Sequence, residues 1–504
     1  MNAAAAACFA AALLLRLLVA ISPYSGAQTP PKFGDYEAQR HWMELTTSLP
    51  LQQWYKDGPD NDPKYWPLDY PPVSGYQSFV HGLFVKHFDP AAVALHSSRG
   101  YESYFSKQLL RWTVILSDLL IFFPAACVAS LVFSTPSHSA SAAAATASSS
   151  PLLQRQQLFV LAAVLLQPAS IIIDHGHFQY NCISLGLAVL AAVAIARQKD
   201  VLGSVLFCLS LNHKQMGLFY APAFFAHLLG RCLQQPTHTG KVLGVARLGL
   251  AVIATFVVCW SPWLTSQDSA SQVLRRIFPV GRGLYEDYVA NFWCTTSVAV
   301  KWRSLLSNAV LIPACAGITV LAALPSMVQQ ILQPSPRGLL LGMANSAFAF
   351  FMFSYQVHEK SILLPLLPIT LLAASEPDCA MWGPVVAAFS MYPLLVRDGV
   401  ALAYAGTIGV YLLVITALVP PKAAQPVTLA SQLGRRLAGA GCAGAVVLHL
   451  LQALVPAPQR LPWLHDRLFT TYSFVFIAGC MVYLNWRQWS QPGSGRVVGK
   501  AKTT

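Results

Sequence analysis

Charge is what this chain has least of. Only 11% of its 504 residues are Asp, Glu, Lys or Arg, where soluble domains carry about 25%. A shortfall of that size excludes a soluble globular protein of this length. Acid is scarcer than base, 20 residues against 33, and the net charge is +13. The basic residues collect in short loops between apolar runs, as the positive-inside rule places them, so the surplus calls for no nucleic acid. Paired cysteines are also missing. The 11 cysteines stand singly with no C-x-x-C, mostly in apolar segments, where packing is their ordinary role. The long polar stretch 22–108 holds none, which excludes a disulfide framework there. There is no P-loop, G-x-S-x-G element or zinc-protease signature, and nucleotide binding is not suggested.

What is present is apolar length. Runs near 3–21, 109–133, 158–173, 183–196, 201–212, 215–229, 245–265, 304–324, 338–356, 361–375, 382–396, 399–419, 437–456 and 468–485 approach or reach the roughly 17–25 residues of a membrane span. They predict an all-α polytopic membrane protein of about 14 transmembrane helices, one domain over 1–504. The first run lacks a basic leader and is interrupted by Arg16, so it reads as an uncleaved helix rather than a signal peptide. Arg197, Lys199, Arg231, Lys241, Arg247, Arg337, Lys422, Arg435, Arg436 and the tail 486–504 fall on one face, which the positive-inside rule makes cytosolic. The linker 134–157, opening on a Ser/Ala run, falls there too and reads as flexible. The tail ends Lys500-Ala501-Lys502-Thr503-Thr504. This pattern is similar to a dilysine endoplasmic-reticulum retrieval signal, which would make the opposite face lumenal.

That opposite face gathers four polar segments: 22–108, 174–177, 266–303 and 357–360. The first opens on Gly34-Asp35-Tyr36-Glu37. Residues 36–46 lack Pro and Gly and mix Trp, Met and Leu with charges, which predicts a helix along the interface with Trp42 at headgroup depth. Asp35 then either caps that helix or faces a lipid-borne substrate as a base. Asp69 and Glu37 are the second choices for a base. Asp174-His175-Gly176-His177 invites a metal, but the two His are two residues apart with no third ligand near. A polar turn that hydrogen-bonds substrate or neighbouring loops is the better reading. In 275–288, Arg282 and Glu286 stand among aromatics, as phosphate and sugar contacts or as a solvated interface helix. His358-Glu359-Lys360 lies between two apolar runs. It either faces a cavity, where His358 and Lys360 could neutralise a phosphate, or snorkels at a tight turn.

Taken together, several segments in fixed order resemble one family. They are Gly34-Asp35-Tyr36-Glu37-Ala38-Gln39-Arg40-His41-Trp42, Leu68-Asp69-Tyr70-Pro71-Pro72, Asp174-His175-Gly176-His177-Phe178-Gln179-Tyr180-Asn181, Lys214-Gln215-Met216 and Val357-His358-Glu359-Lys360. The family is the endoplasmic-reticulum glucosyltransferases that use dolichyl-phosphate-glucose, with a GT-C type membrane fold. Gln356, Trp42-Met43-Glu44 and Tyr76-Gln77-Ser78 fit its first-glucose members better than the second-glucose ones. His213, Gly217 and Tyr288 depart from the family's pattern. The resemblance implies transfer of glucose to a mannose-rich dolichyl-diphosphate oligosaccharide in α-1,3 linkage, with inversion and no cofactor. It makes Asp35 the base, His358, Lys360, Arg282 and Glu286 the donor contacts, and Glu37, Asp69, His175 and His177 acceptor or supporting residues. A lipid or sugar transporter and a silent scaffold are the readings from other classes. No internal repeat supports the first.

Overall fold

A computed structural model describes residues 3–134, 151–278, 283–419 and 429–490, with side chains undescribed for 429–438. Arg282, the tail lysines and most of the Ser/Ala linker lie outside the described residues. The architecture is helical, and among the described residues the only β pairings are two isolated bridges.

Eight helices are long and apolar enough to cross a membrane. The helices named below are α1 (Ala3–Ala20), α2 (Gly34–Ser48), α3 (Pro72–Phe88), α4 (Tyr104–Phe133), α5 (Pro151–Phe178), α6 (Asn181–Ala196), α7 (Asp200–His213), α8 (Gln215–Leu233), α9 (His238–Trp263) and α10 (Gln267–Ile277). After them come α11 (Asn308–Leu332), α12 (Pro336–Phe353), α13 (Leu363–Leu371), α14 (Pro377–Ser390), α15 (Ala401–Leu418), α16 (Leu429–Leu454) and α17 (Leu464–Trp489). Other expected spans, among them 201–212, 361–375 and 382–396, coincide with the shorter α7, α13 and α14. Short helices are tolerated at membrane depth where protein, not lipid, surrounds them. Residues 151–157, at the end of the expected linker, already belong to α5.

Burial tells which helices are central. In α5, 89% of the apolar window is buried, against 11% in α9. The main core joins α5, α6, α12 and α13 through Phe159, Ala162, Leu185, Leu341 and Leu367. α9 is lipid-facing. Even the centre holds charge. Arg16 is 2% exposed and bonds Asp118 at 2.5 Å and the Leu165 carbonyl at 2.8 Å. A charge at this depth persists only when paired.

Outside the bundle, a second core joins the polar segments 22–108 and 266–303. Trp42, Trp54, Tyr55, Leu68, Trp263, Val273 and Ile277 are its members. Trp42, expected at headgroup depth, is 3% exposed, packs against Tyr70 and donates to the Trp66 and Pro67 carbonyls. The loop 49–71 folds back over α2 and covers the face that sequence alone leaves open to lipid.

Candidate active site

α2 positions the acidic pair. It starts on two left-handed residues, Phe33 (φ 56) and Gly34 (φ 65). A Cβ at Gly34 would lie 2.6 Å from the Ser25 carbonyl oxygen, so only glycine fits this entry. The N-cap is Phe33, with no side-chain cap bond. Asp35 is therefore not the cap; it stands in the first turn, where the helix dipole favours an anion. Tyr36 stacks on Tyr24 and leans on Phe178, fixing the turn beside His177.

Three donors converge on one oxygen of Asp35. Lys360 Nζ is 2.7 Å, Gln179 Nε2 2.7 Å and His177 Nε2 2.9 Å from Oδ2. No described residue bonds Oδ1, and the side chain is 27% exposed. One oxygen is thus held, and the other has no partner among the described residues. Burial works to raise the carboxyl's pKa, but the Lys360 ammonium and then His177 outweigh it and hold it well below the ordinary carboxylate value. Burial works to lower the pKa of Lys360, yet Asp35 and Glu359 keep it above the ordinary lysine value.

His177 is held in turn. Its Nδ1 is 2.5 Å from Asp398 Oδ2, so the ring bridges two carboxylates. The end of α5 is wound as a π-helix over Ile172–Phe178, a form common at functional sites. Its neighbour His175 serves another purpose, bonding Asp118 at 2.7 Å in the buried Arg16 cluster. The two His therefore share no ligand position. Behind Gln179 lies Lys214, buried, donating to Gln179 Oε1 at 2.8 Å and Asn181 Oδ1 at 2.6 Å. The Leu68–Tyr70 stretch covers it. Lys214 Nζ lies 5.0 Å from the centre of the Tyr70 ring, and Gln215 donates to the Asp69 carbonyl.

A second wall comes from late in the chain. A parallel bridge joins Tyr285 to Val357, with Glu286 N donating to the Val357 carbonyl and Gln356 N to that of Leu284. This places His358 Nδ1 3.2 Å from Glu286 Oε2, both partly exposed. Arg397 pairs with Asp287 at 3.0 Å alongside.

The structure thus brings Asp35, His177 and Lys360 into contact, and pairs His358 with Glu286. Glu37 belongs elsewhere. It is 1% exposed, takes two bonds from Arg40 at 2.6 Å, and accepts from Tyr65 Oη and Gly100 N. It is saturated and cannot serve as a second base. Gln179, Lys214 and Asp398 complete the site; the first two lie in motifs that carry the resemblance but were given no role, and Asp398 was not singled out from sequence. For Asp398 the signal was present: Arg397-Asp398 interrupts two apolar runs on the same face as His358-Glu359-Lys360.

Comparison with known proteins bears on the chemistry. The chain is 46% identical over 485 residues to the probable dolichyl pyrophosphate Man9GlcNAc2 alpha-1,3-glucosyltransferase of Arabidopsis thaliana, covering 95% of this chain and 88% of that one. It is 38% identical over 496 residues to the Rattus norvegicus dolichyl pyrophosphate Man9GlcNAc2 alpha-1,3-glucosyltransferase, covering 94% of each. Its identity to the Saccharomyces cerevisiae protein of the same name is 40% over 406 residues, covering 79% of this chain and 71% of that one. The pattern for a whole family, 12–484, runs from within α1 almost to the end of α17 and encloses every residue of the site. The chain belongs to the ALG6, ALG8 glycosyltransferase family.

Proposed function

We propose that this chain transfers glucose from dolichyl-phosphate-glucose to a Man9GlcNAc2 dolichyl pyrophosphate in α-1,3 linkage, with Asp35 as the general base. Acceptor and linkage are those in its relatives' names. The step is the first glucosylation of the lipid-linked oligosaccharide used in protein N-glycosylation. The observation that carries the assignment of the base is the asymmetry of Asp35, with Oδ2 tied by three donors and Oδ1 open.

In an inverting displacement the acceptor hydroxyl attacks C1 as the C1–O bond to phosphate breaks. The hydroxyl's proton goes to Asp35 Oδ1. That proton becomes acidic as the new bond forms on an oxocarbenium-like centre, so an ionised carboxylate of low pKa suffices. The leaving phosphate turns from a monoanion into a dianion and needs cations rather than an acid. Groups aimed at developing charge contribute about 3–4 kcal/mol each. Lys360 and His358 are the described candidates, and Arg282 is the one from sequence. Asp398 is a positioning residue. It fixes the ring of His177, which fixes Asp35.

The site faces the endoplasmic-reticulum lumen and the C-terminal tail the cytosol. A glycosylation acceptor placed in the loop 55–64 checks this: it is modified if the loop is lumenal and unmodified if cytosolic. Activity is tested with purified protein and synthetic lipid substrates in a defined reconstitution, with the linkage determined. The expected product is an α-1,3-glucosylated acceptor, lost in Asp35→Asn while donor still binds. Transfer only to an acceptor already carrying one glucose would assign the second-glucose step. Movement of lipid-linked sugar without transfer would favour the transporter reading. Near-normal turnover of Asp35→Asn would place the base elsewhere.

A further inference from the structure

At the opposite end of the bundle from Asp35 lies a cavity of about 340 Å³. The connectivity fixes its position. α6 starts at Asn181, beside the site, and runs 16 residues away from it, about 24 Å at the helical rise. α7 returns to the site at His213, and α8 leaves it again. The cavity sits between the far ends of these helices and the first turns of α9. It is lined by Asp200, Arg231, Leu243, Gly244, Arg247 and Leu248, among others.

Its charges do not balance internally. Arg231 bonds Asp200 at 2.6 Å and the Ile195 carbonyl at 3.2 Å, so the one lining carboxylate is already matched. Arg247 remains. It makes no hydrogen bond or ion pair with the described residues, acts on Asp200 only at longer range, and is exposed. It stands nine residues into α9, about 13 Å from the start of a helix that faces lipid along most of its length. Two guanidiniums thus share one carboxylate, which leaves the cavity with a net positive charge for an anion to meet. Arg197, Lys199 and Lys241 ring the same end and add to the positive field. Leu243 and Leu248, on the same helix, give the cavity an apolar wall continuous with the lipid-facing surface.

We infer that this cavity binds the phosphodiester headgroup of an anionic phospholipid, drawn from the leaflet opposite the catalytic site. Arg247 contacts the phosphate, the Arg231–Asp200 pair forms the floor, and the acyl chains lie along Leu243 and Leu248. A guanidinium suits a phosphate because its fork donates two parallel bonds. The site is separate from donor and acceptor binding, so its occupancy does not depend on the proposed activity.

The test uses the full-length protein in nanodiscs of phosphatidylcholine alone and of an equimolar mixture with phosphatidylinositol. Lipid retained after extraction is read by native mass spectrometry. The wild type is expected to retain phosphatidylinositol selectively. Arg247→Gln is expected to lower that selectivity about fivefold, the worth of one basic contact near a membrane surface, with glucose transfer in detergent unchanged. Leu243→Trp fills the cavity without removing charge and is expected to lower retention of the anionic lipid as well. Equal retention by the wild type and both variants overturns the proposal. So does displacement of the lipid by soluble glycerophosphoinositol at comparable concentration, which would make the cavity a site for free anions.

Discussion

Asp35 and Glu37 share one helical turn and lead opposite lives. Glu37 is 1% exposed, with both oxygens engaged inside α2 and by the loops around it. The Asp35 side chain is 27% exposed, with one oxygen engaged and one open. Both are anions beside cations, so charge pairing alone does not mark a reactive group. What sets Asp35 apart is unfilled acceptor capacity on an otherwise fixed side chain, the property on which its proposed role rests. The difference arises from partners far along the chain. Glu37 is closed off by Arg40 and Tyr65, close in sequence, whereas the donors to Asp35 come from residues 142 to 325 positions away.

Substitutions that exchange the two behaviours break or sharpen the contrast. The largest effect is expected for Asp35→Asn, a loss of about 10²–10⁴-fold in kcat, the usual worth of a general base. Melting temperature should change little. Glu37→Gln should do the reverse. Leaving Arg40 with an incomplete buried partner destabilises by about 3–5 kcal/mol, read by thermal unfolding in detergent, while the folded fraction keeps its turnover. A large fall in kcat with unchanged stability would erase the distinction. The same buried cluster responds to acid. Burial raises the pKa of Glu44, but the hydrogen bond from His41 and the charge of Arg40 bring it down to about 2. Its contribution to stability is present above the ordinary Glu value and is lost as pH falls toward about 2.

Asp398→Asn is expected to lower kcat about tenfold to a hundredfold, roughly 1.4–2.7 kcal/mol of barrier. KM for the donor should stay close to the wild type, and Asp398→Glu should recover part of the loss. A purely structural role would instead lower the amount of folded protein and leave kcat per folded molecule intact. Lys360→Met removes the strongest charge acting to hold Asp35 ionised. The Asp35 pKa should rise, so the acid limb of kcat/KM moves to higher pH. A limb that stays in place would separate Lys360 from the base. The smallest effect is expected for His358→Ala, a severalfold rise in donor KM, about 1 kcal/mol of lost binding. An unchanged donor dependence would remove His358 from the phosphate.

Much of this was legible in the sequence, for physical reasons that also set the limits. Apolar length and scarce charge reveal a helical membrane protein, since the bilayer imposes both. Helices buried in protein are exempt from that length rule, so α7, α13 and α14 do not announce themselves as clearly as α9 does. The acidic motif and Lys360 stood out because charge near hydrocarbon needs a reason. Asp398 obeyed the same logic but came with Arg397, and the pair reads as self-neutralised. Only folding shows that Arg397 turns to Asp287 while Asp398 turns to His177. His175 and His177 look alike in sequence. A one-dimensional pattern could not separate the member that ties the bundle from the member that touches Asp35.

The π-wound end of α5 makes that separation possible, and it carries a cost in register. A turn closed from i to i+5 holds one residue more than the ordinary helix needs. Ile172–Phe178 is therefore a tolerated insertion, kept where a regular helix would be more stable on its own. Deleting Gly176 would remove the spare residue and leave the two imidazoles on adjacent positions, diverging by about 100° around the helix. They could not then both keep their present partners, Asp118 for His175 and Asp35 for His177. The spare residue is what lets one stretch of backbone serve the bundle and the site at once.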